Sequence, residues 1–247
     1  MTRPTKIADA LRAAWTTGPV PGLPADLTPA DEAEAYAVQL AMLEGAPVAG
    51  WKVTPKAPYT GALLAQARLV ADGDRLPGDM PAPEVEVEIA VIFARDLPPR
   101  ATPYAEAEVL AACGGLRAAF EIVQSRFVDR KAMPPLAVLA DAMSNGAFGL
   151  GTGTGAAAAD WTGTELGEAT ATLSRNGQLL EEKAGGFTTA QVVGQLVWLA
   201  NHASSQGLGL KAGQALITGA RIGPRLLTEG GRYTVSISGV GEASFVL

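Results

Sequence analysis

Three glutamates alternate with aliphatic residues in the segment 83–94, PEVEVEIAVIFA. Because successive side chains of a β-strand point to opposite faces, Glu84, Glu86 and Glu88 would share one face. From Ala90 onward the segment has no polar residue, which is typical of a strand that enters a covered interior. The row of acids is therefore predicted to lie at the mouth of a core, and no Lys or Arg is interleaved with it.

The pattern of this row leaves two interpretations open. Alternating Glu and Val is typical of a half-exposed strand whose polar face is solvated. Alternatively, carboxylates at positions i and i+2 stand about 6 to 7 Å apart at the backbone and can converge on one hard cation. Mg²⁺ and Mn²⁺ suit such oxygen ligands. The second interpretation needs a third acid from another part of the chain.

Glu121 is the natural candidate for that third acid. It lies between an aromatic and an aliphatic residue in a mostly apolar predicted strand, 116–123. An acid buried there is costly unless it is paired or bound to a metal. An ion pair with Arg117 or Arg126 is the alternative.

Lys52 lies in a short predicted strand, between Trp51 and Val53. One interpretation is a surface lysine whose aliphatic stem covers apolar groups while its ammonium reaches water. The other is a partly buried cation that faces an anionic substrate and has an altered pKa.

Composition excludes several classes of function. The net charge of -6 argues against a nucleic-acid partner or an anionic membrane surface. The single cysteine, Cys113, allows no intrachain disulfide and no Cys-based zinc site. A catalytic triad or dyad would have to use the single histidine, His202, which lies near the end of a predicted helix, where a positive charge is favoured. No signal peptide or membrane-spanning run is found, so we expect a soluble cytoplasmic protein.

Hydrophobic periodicity predicts a helical N-terminal segment, residues 1–50, ahead of a larger domain, residues 51–247. The first two predicted helices are 5–17 and one that starts at a Thr28 cap with Pro29 in its first turn. An Asn-Gly hairpin is expected at 170–182 and a helix capped by Thr188 at 188–205. Further predicted strands are 49–53, 69–70, 215–218, 232–238 and 243–247, and a helix is expected at 104–113. The glycine-rich stretch 151–155 is predicted to be a loop where backbones pass closely. This content predicts an α+β or mostly-β domain.

Several short segments share a combined pattern, namely 50–53 (GWKV), 85–90 (VEVEIA), 95–98 (RDLP), 120–123 (FEIV), 176–177 (NG), 198–201 (WLAN), 209–213 (GLKAG) and 216–219 (LITG). Taken together they resemble the fumarylacetoacetate hydrolase superfamily, and within it the branch of 2-keto-4-pentenoate hydratases and 4-oxalocrotonate decarboxylases. The resemblance implies an α+β fold, built on a rolled, mixed β-sheet with flanking helices, and a homo-oligomer. The Glu-x-Glu pair alone would not be specific.

The resemblance also implies a bound Mg²⁺ or Mn²⁺ and assigns its ligands to Glu86, Glu88 and Glu121, with Glu84 as an extra acid at the rim. It places Lys52 as the catalytic residue, and it places three residues near a small 2-oxo acid substrate: Lys52, Thr218 and Gly219. A 2-oxo acid can chelate such a cation through its keto and carboxylate oxygens, and negative charge on the keto oxygen is then stabilised.

The activity implied first is a hydratase that adds water to a short 2-hydroxydienoate or 2-oxo-enoate in aromatic catabolism. A 4-oxalocrotonate-type decarboxylase is an alternative, and Lys52 can be either a proton donor or an anchor for the carboxylate. Hydrolases of the superfamily use a histidine-containing dyad, which this chain lacks before His202. A non-catalytic homologue is the alternative of a different class, and the presence of Lys52 beside all three acids favours an enzyme.

Three positions depart from the usual pattern of the branch. Gln124 stands where Asp is usual, Ala142 stands where Asn is usual, and Leu64 stands where Phe is usual. The metal set is intact, whereas residues that shape the substrate site are altered. The motifs therefore predict the metal more firmly than they predict a particular substrate.

Overall fold

The computed structural model describes residues 1–247 of the chain. Its α-helices are α1 (Arg3–Thr17), α2 (Glu32–Met42), α3 (Glu106–Ala112), α4 (Pro135–Ala140) and α5 (Thr189–Ser205). Its strands are β1 (Val48–Val53), β2 (Gly61–Ala65), β3 (Leu69–Val70), β4 (Glu84–Phe93), β5 (Cys113–Val123), β6 (Asn145–Thr154), β7 (Thr170–Arg175), β8 (Gln178–Ala184), β9 (Ala215–Ile217), β10 (Ile222–Leu226), β11 (Arg232–Ile237) and β12 (Gly241–Val246). No helix is both long and apolar enough to cross a bilayer.

The larger sheet is mixed and curled, as the resemblance implied. Its strand order is β2-β1-β9-β4-β5-β6-β3, and β10 adds to β4. The pairs β1–β9 and β3–β6 are parallel, whereas β4 pairs antiparallel with β5, β9 and β10. A second, antiparallel sheet has the order β12-β11-β7-β8. The α+β class with a rolled mixed sheet is therefore confirmed.

The two faces of the larger sheet have different cores. On one face, Val85, Val87 and Ile89 belong to the main hydrophobic core. On the other face, which we call the acid-bearing face, a small apolar cluster lies beyond the glutamates and consists of Ala49, Leu64, Ala90, Ala119, Phe148, Ala215 and Ile217. The predicted alternation along β4 is thus confirmed, and the acids lead directly into a sealed interior.

The two N-terminal helices pack on the same main core as β1. Ile7, Leu11 and Tyr36 are buried in it together with Trp51. The division of the chain at residue 50 stays a prediction.

Local signals gave several element ends correctly. Thr188 caps α5 by accepting a hydrogen bond from the backbone N–H of Gln191. Asn176 and Gly177 have φ values of 50° and 80°, as a tight hairpin turn of this type requires. Helix α2, however, begins after Asp31, whose side chain accepts from the Glu34 N–H, so the predicted start at Thr28 is wrong.

The stretch 151–155 is a further correction, because Gly151–Thr154 forms the end of β6 rather than a loop. The prediction of close backbone approach holds within that strand. A Cβ on Gly151 would lie 2.0 Å from the Glu242 carbonyl oxygen, and one on Gly153 would lie 1.8 Å from that of Leu116. Strands β2 and β10 were not predicted; both are short, and β10 contains Gly223-Pro224, which is typical of a turn.

A short left-handed turn connects α4 to β6. Ala142, Met143 and Ser144 have φ values of 48°, 51° and 65°, and none of them is glycine. L-residues pay about 1–2 kcal/mol each for this conformation, which Asn tolerates better. The turn is therefore a strained element held by its surroundings.

We expect Ala142→Asn to stabilise the protein. Position 142 borders a cavity of about 350 Å³, so an amide side chain has room. Relief of left-handed strain should raise the free energy of unfolding by about 0.5–1 kcal/mol and the melting temperature by about 2 °C. Ala13→Asn, on the exposed side of the right-handed α1, is the matched control and should lower stability. Thermal and urea unfolding measure both, and equal loss of stability in the two variants would contradict the argument.

Candidate metal centre and active site

Strand pairing brings the three predicted metal ligands together. Glu86 lies directly opposite Glu121 in the β4–β5 register, and Glu88 is the next residue on the same face. One carboxylate oxygen from each of the three lies within 4.8 Å of the others. Glu88 and Glu121 are fully buried, whereas Glu86 is partly exposed. The solvated-strand interpretation therefore fails for Glu88, and the three acids form a pocket of carboxylates.

This arrangement is electrostatically costly. Burial, and next the repulsion from Glu121, raises the pKa of Glu86 to about 7. The same two causes raise the pKa of Glu88 well above its ordinary value. Like charges directly opposite on neighbouring strands are destabilising unless a cation lies between them.

Lys52 supplies part of the missing positive charge. Its Nζ lies 2.5 Å from Glu121 Oε1 and 3.2 Å from the carbonyl oxygen of Met143. Its side chain is 13% exposed, so the interpretation as a surface lysine is wrong. Burial by itself lowers the pKa of Lys52, but the attraction of Glu121, Glu86 and Glu88 outweighs burial and raises it. Lys52 is therefore an ammonium ion at neutral pH.

The alternative arginine partners of Glu121 are engaged elsewhere. Arg126 forms a buried ion pair with Asp141, and Arg117 donates to the carbonyl oxygen of Leu116. Glu121 is thus left with one cationic partner, Lys52.

The residues present fit a divalent cation. Glu121 Oε2 is buried and has no hydrogen-bond partner, which is costly for a carboxylate oxygen. When all three carboxylates are ionised, the ammonium of Lys52 offsets one of the three negative charges. A donor set made only of carboxylate oxygens suits a hard cation such as Mg²⁺ or Mn²⁺.

The turn at Thr218–Gly219 closes the site beside Glu88. The Gly219 N–H donates to Glu88 Oε2 at 2.6 Å, and the Thr218 hydroxyl donates to the Ile89 carbonyl at 2.9 Å. Gly219 has a φ of 103°, and a Cβ there would lie 3.1 Å from both Pro55 and Phe187. The turn therefore orients Glu88, while its contact with substrate stays a prediction.

Two positioning residues were not found from the sequence. Asn145 donates from Nδ2 to Glu121 Oε1 at 3.0 Å. Gln195 is fully buried in α5 and donates from Nε2 to the carbonyls of Thr54 and Thr218, at 3.1 and 3.0 Å. Gln195 interrupts the apolar face of α5, a signal that could have identified it. Asn145 has no comparable signal in its Gly- and Ala-rich surroundings.

His202 does not belong to the site. It lies in the last turn of α5, as predicted, but its ring stacks on Trp198 with the centroids 4.5 Å apart. Tyr36 and Trp51 also contact it, at centroid distances of 5.0 and 6.2 Å. Burial lowers the pKa of His202, so the expectation that this end of the helix favours a protonated, positively charged His202 is wrong.

Known proteins of similar sequence and structure agree with the motifs. The family described as Fumarylacetoacetate (FAA) hydrolase C-terminal matches residues 34–246. The 2-keto-4-pentenoate hydratase 2 of Dechloromonas aromatica is 30% identical over 260 residues, which cover 98% of this chain and 96% of that protein. A 4-oxalocrotonate decarboxylase from a Pseudomonas species is 29% identical over 165 residues, which cover 66% of this chain and 60% of that protein.

The solved structure of 4-oxalocrotonate decarboxylase from Pseudomonas putida G7, complexed with magnesium and adipate, superimposes with a TM-score of 0.78. The match has 24% sequence identity and covers 99% of this chain and 98% of that chain. The chain therefore belongs to the fumarylacetoacetate hydrolase superfamily, in the branch that contains 2-keto-4-pentenoate hydratases and 4-oxalocrotonate decarboxylases.

Proposed function

We propose that this protein is a metal-dependent hydro-lyase that adds water to a short 2-hydroxydienoate or 2-oxo-enoate. Mg²⁺ or Mn²⁺ would be held by Glu86, Glu88 and Glu121. The observation that carries the proposal is the buried, unpartnered Oε2 of Glu121 among the converging carboxylates. Support comes from the relative named 2-keto-4-pentenoate hydratase 2, which spans 98% of this chain. The homo-oligomer implied by the resemblance stays a prediction.

The chemistry rests on a polarised 2-oxo acid and on the residues around it. When bound, a divalent cation would supply a Lewis acid for the oxygens of the substrate. Lys52 uses two of its three N–H donors on Glu121 and Met143, which leaves one for a ligand. The free donor of this ammonium suits Lys52 to anchor the substrate carboxylate by a charge-assisted hydrogen bond.

A decarboxylase of the 4-oxalocrotonate type is the second candidate. The observation that favours it is the sequence similarity to the 4-oxalocrotonate decarboxylase of a Pseudomonas species, at 29% identity over 66% of this chain. A C–C bond hydrolase is disfavoured, because the single histidine lies in the aromatic cluster of α5 rather than beside the carboxylates.

Turnover measured by ultraviolet absorbance separates these activities. We expect loss of 2-hydroxypenta-2,4-dienoate absorbance in the presence of Mg²⁺ and little turnover after chelation with EDTA. With 4-oxalocrotonate, release of carbon dioxide should be slower. Faster decarboxylation would select the second candidate, and metal-independent turnover of both compounds would contradict the metal assignment.

Mg²⁺ should raise the melting temperature, and the increase should grow from about pH 5.5 to about pH 8. Protons bound by Glu86 and Glu88 stabilise the metal-free folded state, because the pKa values of these two carboxyl groups are higher in the folded protein than in the unfolded chain. For Glu86 this stabilisation is present at low pH and is lost as the pH rises through about 7, above which a cation meets less competition from protons. Glu121→Gln should abolish the Mg²⁺ response, whereas Glu108→Gln, at a distant surface ion pair, should retain it. A wild-type melting temperature insensitive to Mg²⁺ at every pH would overturn the assignment.

Lys52→Met should separate substrate binding from metal binding. Loss of the ammonium should lower kcat/KM by about a hundredfold or more, because the substrate carboxylate loses its anchor. The Mg²⁺-induced thermal shift should persist, since removal of a neighbouring positive charge favours the cation. Lys56→Met, at an exposed position in the following turn, is the matched control. Full activity of Lys52→Met would remove Lys52 from the site.

A further inference from the structure

The burial of the acid-bearing face of β4 decreases from Ala90 toward Glu84. Ala90 and Glu88 are 0% and 1% exposed, and they lead into the sealed cluster on the acid-bearing face. Glu86 and Glu84 are partly exposed. The accessible end of the acid row is therefore the Glu84 end, and a ligand that meets the carboxylates can extend in that direction.

A second cavity lies at that end of the strand. It has a volume of about 290 Å³, and its walls include Ala82, Glu84, Val123, Gln124, Arg130 and Leu226. In the strand registers, Val123 and Leu226 are the residues paired with Glu84. The cavity, which we call the rim cavity, is thus one same-face step, about 7 Å, from the Glu86–Glu121 pair. An extended carbon chain advances about 1.25 Å per bond, so four carbon atoms beyond a 2-oxo acid group reach about 5 Å along this path and bring the end of the chain close to Glu84.

The rim cavity contains one ion pair and otherwise offers little charge. Arg130 Nη1 lies 2.6 Å from Glu84 Oε2, and the two side chains are 27% and 28% exposed. Arg130 is the single cation among the lining residues, so its charge is already matched. Gln124, which stands where the branch usually has Asp, accepts a hydrogen bond from the Ala82 N–H and brings no charge.

This distribution of charge discriminates between substrate tails. A carboxylate that enters the rim cavity would lie beside Glu84 and would have to displace it from Arg130. An uncharged tail would contact Val123 and Leu226 and would leave the ion pair intact. Specificity of this kind comes from a repulsive group as much as from attractive ones.

We propose that the rim cavity holds the end of the substrate distal to its 2-oxo acid group and that the Glu84–Arg130 pair selects an uncharged tail over a carboxylate. The inference rests on the proposed function, because the 2-oxo acid group must lie at the three glutamates. It names Glu84 as the specificity-determining residue, and it places the physiological substrate among monocarboxylic 2-oxo or 2-hydroxydienoic acids.

Calorimetric binding of two six-carbon ligands, 2-oxohexanoate and 2-oxoadipate, tests the inference with the Mg²⁺-loaded protein and again with EDTA. The wild type should bind 2-oxohexanoate at least about tenfold more tightly than it binds 2-oxoadipate. Glu84→Gln releases Arg130 and should strengthen 2-oxoadipate binding about tenfold, while 2-oxohexanoate changes by less than about threefold. The double variant Glu84→Gln/Arg130→Met should lose that gain. Glu108→Gln, which removes the carboxylate from a distant surface pair with Arg100, should leave both affinities unchanged.

Arg130→Met tests the same inference independently if Glu84→Gln folds poorly. This variant leaves Glu84 without its partner, so it should bind 2-oxoadipate more weakly than the wild type does. Pyruvate, which has no tail to reach the rim cavity, reports on the contact with the 2-oxo acid group alone. If pyruvate binds with Mg²⁺ dependence but neither variant changes the preference between the six-carbon ligands, the inference fails and the proposed function stands. If pyruvate and both six-carbon ligands bind equally with and without Mg²⁺, both fail.

Discussion

Mutual repulsion among three buried carboxylates is the constraint on which the rest of this structure depends. Glu86 and Glu121 lie opposite each other in adjacent strands, and Glu88 is fully buried beside them. A fold retains such a costly arrangement only where a positive charge compensates it, and Lys52 compensates a single unit. The unpartnered Oε2 of Glu121 marks where further compensation belongs.

Much of the surrounding structure keeps these charges in place. The ammonium of Lys52 is held by the carbonyl of Met143, within the left-handed turn after α4. Gln195 joins the end of β1 to the Thr218 carbonyl, and the next residue, Gly219, donates to Glu88. Elements distant in sequence thus share one hydrogen-bond network. The strain of the left-handed turn sits at the candidate site, where backbone strain is commonly concentrated.

The sequence predicted the parts of the site that depend on local periodicity. Alternation along β4 predicted which acids share a face, and an acid among apolar neighbours identified Glu121 as a residue that needs a cation. The contacts of Asn145 with Glu121, and of Met143 with Lys52, depend on how separate segments meet in space, which no local pattern encodes. The sequence does not predict β10, because Gly223-Pro224 is a turn signal. It predicts a loop at the end of β6, because the glycines that allow close strand packing there are also typical of loops. The ion pair of Glu84 with Arg130, 46 residues away, was equally beyond local reasoning.

The strict period of two along β4 has a consequence for how this chain tolerates insertions and deletions. Loss or gain of one residue between Glu84 and Glu88 would slip the register and exchange the two faces of the strand. Valines would then point toward the candidate metal centre, and carboxylates would point into the hydrophobic core that Val85 and Val87 occupy. A substitution on this strand alters one side chain, whereas the insertion or deletion of one residue would move every following side chain to the opposite face. The length of the segment from Glu84 to Glu88 is therefore expected to be fixed among functional descendants of this sequence.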